Sequence, residues 1–127
     1  MAVGDLEQVV RWLEEVAAKV RALESQAQTV IEGKRDQQGY EALMREKALL
    51  LAGLGDEAAE RLTGASGPEA ERVLARLEKF SASASMALEI GSVFFMSALL
   101  YPEDHVPGEK NDLDRFVESV RAAAAAE

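Results

Sequence analysis

The chain has 127 residues and carries 23 Asp and Glu against 14 Lys and Arg, with a single His and no Cys. A net charge of -9 opposes a phosphate backbone, and the longest basic cluster is the pair Lys34 and Arg35, so nucleic acid is not expected as a partner. The missing cysteines exclude disulfides, thiolate nucleophiles, iron–sulfur clusters and Cys-type zinc sites.

The length suits one domain, 1–127, with a core of its own. The opening MAVGDLEQVV has no basic n-region and no apolar h-region, so no secretory signal is read there and a cytoplasmic protein is expected. A first helix is predicted over about 5–32, capped by Asp5 with Gln8 three residues on. Leu6, Val9, Leu13, Val16, Val20, Leu23, Ala27 and Val30 recur at alternating steps of three and four, and Val10, Ala17 and Ile31 widen the stripe. A stripe of that width suits a bundle helix touching two neighbours, with Trp12 as a partly buried packing residue at its edge.

The polar segment EGKRDQQG reads as a turn, and a second helix follows near 39–62 with Tyr40, Leu43, Leu50, Leu51 and Leu54 on its buried side. Lys47 falls in line with that stripe and is expected to snorkel to solvent. Gly53 and Gly55 predict a kink, or a short extra helix from Asp56 to Leu62. TGASGP breaks the chain, with Ser66 or Gly67 as cap and Pro68 opening a third helix near 68–100. Within it, FSASASMALEIGSVFFMSALLY (80–101) carries one charge, Glu89, and is apolar on every side over its second half. Either this helix kinks near Ser81–Ser85 or one end projects, and Ala84, Ala87 and Gly91 let a neighbouring backbone come near. Glu89 and the five small residues before Met86 argue against a membrane span. YPEDHVPGEKN is irregular, Asn111 or Asp112 caps a last helix near 111–125, and the alanine tail is expected to fray.

Together these predict an all-α fold: an antiparallel up-down four-helix bundle with a long central third helix. Residues 5–62, with a long helix, a short polar turn and a second helix reading YEALMREKALLLAGL, resemble the N-terminal half of flagellar export chaperones of the FlgN type. That resemblance implies a chaperone-like role for a helical hairpin and assigns no site residue.

The single histidine limits the chemistry open to this chain. Glu-x-x-His di-metal sites need two such elements, Ser-His-Asp catalysis would have to use His105, and no P-loop or G-x-G-x-x-G occurs. The remaining catalytic reading is a carboxylate and Mg2+ hydrolase resembling all-helical MazG-like nucleotide pyrophosphohydrolases, with Glu57 and Glu60 as one acid pair and Glu109 and Asp112 as another. A third reading is an apolar cavity beside Ala84, Ala87 and Gly91.

The first reading is a non-catalytic interaction module, an adaptor or chaperone that needs no cofactor and no metal. It buries an apolar helix face in a homodimer or against a partner's amphipathic or basic helix. Phe94, Phe95, Met96, Leu99 and Tyr101 are its expected anchors, and Glu103, Asp104 and His105 in the following loop are expected to select a basic partner.

Overall fold

Helix α1 (Val3–Gly33), with 31 residues, is the longest helix among the described residues. The computed structural model describes residues 3–63 and 67–126, with residues 3–5 in backbone only. The helix begins two residues ahead of Asp5, and the expected Asp5 cap lies outside the described side chains. Leu6, Val9, Leu13, Val16 and Val20 are buried, and Val10 and Ala17 widen the stripe. Trp12 is buried as a packing residue, with the Arg61 guanidinium over its ring at 4.8 Å.

Helix α2 (Gln37–Ala52) starts where the Asp36 carboxylate accepts the Gly39 N–H at 2.9 Å. Gly53 ends it, and α3 (Leu54–Arg61) follows at once. The Ser81 hydroxyl bridges this break from the next helix: it donates to the Leu51 carbonyl at 3.0 Å and accepts from the Gly55 N–H at 2.7 Å. Helix ends leave such groups without intrahelical partners, so the bridge satisfies one from each side. A Cβ on Gly55 would stand 3.2 Å from Ser81 Oγ and 3.4 Å from Glu78 Cα, so the bare glycine is what lets the two backbones approach.

Helix α4 (Pro68–Ile90) has Pro68 in its first turn after Gly67; Gly64, Ala65 and Ser66 of the expected break lie outside the described residues. Ala70, Val73, Leu77, Phe80, Ala84 and Ala87 are its buried stripe. The expected run to Leu100 is corrected. The helix passes unbroken through Ser81–Ser85 and stops at Gly91, which takes a left-handed φ of 75°. Gly91 and Ser92 both donate backbone N–H groups to the Ala87 carbonyl, closing the end as a glycine C-cap does. Gly91 therefore serves chain reversal and not close helix packing. Ser92 then caps a new short helix, α5 (Val93–Ala98), by accepting the Phe95 N–H at 3.1 Å. At 31 residues and about 46 Å, α1 is longer than α4 at 23 residues and about 35 Å.

A Cβ on Gly91 would meet nothing within 4 Å, so Gly91→Ala isolates the backbone cost of the left-handed turn. The expected loss is about 1–2 kcal/mol, read from the urea midpoint; an unchanged midpoint would show that the turn does not constrain the chain.

Leu99–Asn111 returns without regular structure, and its base is closed by the Asp112 N–H donating to the Leu100 carbonyl at 3.0 Å. Leu100 is buried and held at φ 77°, a left-handed conformation that costs a non-glycine residue about 1–2 kcal/mol. Helix α6 (Asp112–Ala126) is capped by Asn111, whose Oδ1 accepts the Asp114 N–H at 2.9 Å. Leu113, Phe116, Val117, Val120 and Ala124 are buried, so the alanine tail stays helical through Ala126 with one residue in the core.

All the described regular structure is helical. α1 and α2 form an antiparallel hairpin, α2 and α3 lie on α4, and α6 returns along α1 through Arg21–Asp114 and Arg121–Glu14 ion pairs. Phe80 meets Phe116 edge-on at 6.1 Å, joining α4 to α6. Among the described residues no helix is long and apolar enough to cross a membrane.

Candidate functional site

The apolar stretch after Gly91 divides by exposure. Met96 is fully buried beside Ala27, Met44, Ala48 and Ala87, so it seats α5 on α2 and α4 and is no free anchor. Leu99 is half-buried between this cluster and the larger core. Phe94 and Phe95 point the other way, 74% and 48% exposed, with ring centroids 5.9 Å apart. The α5 helix therefore has one buried side and one open aromatic side. Met86 and Ile90, at the end of α4, are exposed as well.

Tyr101 is half-buried and engaged. Its hydroxyl donates to Glu24 Oε1 at 2.8 Å, and its ring meets the His105 imidazole edge-on at 4.8 Å. The second oxygen of Glu24 is 2.9 Å from Lys47 Nζ, and that ammonium also donates to the Ser97 carbonyl at 3.1 Å. Lys47 is thus not the snorkelling lysine expected from the sequence: its side chain is 0% exposed. It lies where the stripe of α2 faces α1 and α5, and its methylenes cannot reach water from there. An ion pair with Glu24, which keeps 21% exposure, and one free carbonyl at the C-terminal end of α5 replace the lost hydration.

The electrostatics follow from that placement. Burial pushes the Lys47 pKa below its usual value, and the Glu24 carboxylate opposes the shift. Burial and the hydrogen bond to Glu24 push the Tyr101 phenol up to about 12. An amine with no exposed surface cannot be reached by a substrate, so Glu24, Lys47 and Tyr101 act as a clamp joining α1, α2, α5 and the loop. Glu24 was not singled out from the sequence. The available signal was a lysine interrupting a buried stripe, which requires an acid on a facing helix.

Glu103 and Asp104 are exposed in the loop, and His105 is half-buried against Tyr101. The acid pairs of the hydrolase reading do not converge. Glu57 bonds Arg61, Glu109 bonds Arg115, and among the described residues no group of three or more acidic or histidine side chains is placed to hold a metal ion. Ala84 and Ala87 are packed into the two core clusters. No family model, curated protein or solved structure matches the chain, so the resemblance of residues 5–62 to flagellar export chaperones rests on the hairpin pattern alone.

Proposed function

We propose that the chain is a non-catalytic cytoplasmic interaction module of the adaptor or chaperone type. It is one domain, an antiparallel up-down four-helix bundle, that binds a basic amphipathic helix through α5 and the loop behind it. The observation that carries this reading is the pair Phe94 and Phe95, open to solvent on a helix whose other side is fixed by Met96. Large aromatics on a rigid, seated element lose little entropy on binding and are typical anchors. Charge favours a basic partner over a second copy: between Lys79 and Lys110 there is no basic residue, while Glu89, Glu103 and Asp104 are exposed in that interval. Two copies meeting here would bring acidic surfaces together.

The test uses a synthetic helix of leucine and lysine at heptad spacing, with light scattering on the protein alone. A monomer that binds this helix, and loses at least tenfold in affinity on Phe94→Glu with Phe95→Glu at unchanged urea midpoint, supports the reading. A dimer that the same substitutions convert to monomer would assign the face to a homodimer instead. Equal binding of a leucine and glutamate helix would remove the charge argument.

A further inference from the structure

Helix α4 carries a second stripe beside the buried one. Arg76, Lys79, Ser83, Met86 and Ile90 recur at steps of three and four, and at 100° per residue they fall within an arc of about 80°. The N-terminal half of this stripe forms one wall of a groove of about 360 Å3, faced by Leu51, Leu100 and Asp112. That volume is at the small end of ligand pockets, roughly 300–1,000 Å3. The C-terminal half is the exposed pair Met86 and Ile90.

The groove is cationic within an acidic protein. Among the described residues neither Arg76 nor Lys79 lies within ion-pair distance of a carboxylate. The Arg76 guanidinium rests over the Phe80 ring at 4.7 Å, and among the described residues its N–H groups meet no acceptor. Asp112 on the opposite wall brings the three charges to a net of +1, so a monoanion would leave the groove neutral. Its apolar wall includes Leu100, the residue held in a left-handed backbone conformation with its side chain buried, and strain of that kind collects at binding sites.

We infer that this groove binds a small amphipathic monoanion, a carboxylate on an unbranched apolar tail. The head lies between Arg76 and Lys79, and the tail runs over the small Ser83 toward Met86 and Ile90. Lys79 to Ile90 spans about 16 Å along the helix, which sets a tail of medium length. The site accounts for two features side by side, cations without a carboxylate partner among the described residues and the exposed apolar pair in line with them. It does not depend on Phe94 or Phe95.

The probe is decanoate, titrated calorimetrically into the whole protein. One decanoate should bind per chain and decyltrimethylammonium should not. Lys79→Gln should weaken decanoate several-fold at an unchanged urea midpoint, Arg76→Gln with Lys79→Gln should weaken it at least tenfold with the midpoint lowered only by the lost Arg76–Phe80 contact, and Asp112→Asn should tighten it. Equal affinity for the two amphiphiles, or decanoate binding indifferent to the double substitution, would overturn the site. Failure of decanoate to bind while the protein sediments with phosphatidylglycerol vesicles would also overturn it, in favour of a surface that reads anionic lipid.

Discussion

Glu24→Ala is expected to cost about 3–5 kcal/mol of folding stability, the usual result of stranding one partner of a buried ion pair. The loss is large because Lys47 has no exposed surface and would keep only uncharged partners, the Ser97 carbonyl at 3.1 Å and the Tyr101 ring at 5.1 Å. Lys47→Met should cost less, about 1–2 kcal/mol, although it breaks the same contact. There the group left behind is the Glu24 carboxylate, which still reaches water and still accepts the Tyr101 hydroxyl, while methionine fills the space of the lysine stem. Urea unfolding of the two variants tests this order. A Lys47→Met loss larger than that of Glu24→Ala would mean that the clamp is held by something other than desolvation of the ammonium.

The same clamp gives stability a defined alkaline profile. With the Lys47 pKa below its ordinary 10.5 in the fold, the unfolded chain holds more protons between the lowered value and 10.5, and stability rises with pH across that window. Tyr101 has the opposite sign. The folded phenol keeps its proton up to about 12, the unfolded one releases it from about 10, and stability falls between those values. Lys47→Met should abolish the rise and Tyr101→Phe the fall, in urea midpoints collected from pH 8 to 12.

Met96→Ala is expected to cost about 2–5 kcal/mol, against less than about 0.5 kcal/mol for Phe94→Ala two residues earlier. Met96 fills the small cluster made by Ala27, Met44, Ala48 and Ala87, where the surrounding alanines cannot grow into a void. Phe94 touches mostly solvent and its partner ring Phe95. If both substitutions proved silent in urea unfolding, α5 would not be seated on the core. The open aromatic face would then lose the rigidity on which its binding role depends.

The buried stripes of α1, α4 and α6 were legible because each repeats over several turns, and one helix face must then be covered. The end of α4 was not, since Gly91 stands where the three-and-four alternation calls for a core residue and so reads as a small packing position. Its role becomes visible only with Ser92, whose hydroxyl caps the next helix. The burial of Lys47 is hidden for a related reason: it depends on Glu24, 23 residues earlier and on another helix, and no local pattern connects them. Of the expected anchors, Phe94 and Phe95 are open, Met96 is core, and Leu99 and Tyr101 are partly committed to the fold. A run that is apolar on all sides cannot say which side will be covered once a glycine turns it back.

The pairing of α6 with α1 has a consequence for synthesis. The flank of α1 that includes Val10 and Ala17 is covered by a helix made roughly 100 residues later, which at about 5–20 residues per second leaves it waiting on the order of 5–20 s. The hairpin of α1 and α2 closes early on the other flank, so the nascent chain passes through a stage with one half of its stripe sheltered and the other bare. In a crowded cell that interval, more than the finished fold, is when this chain is most open to the wrong helix.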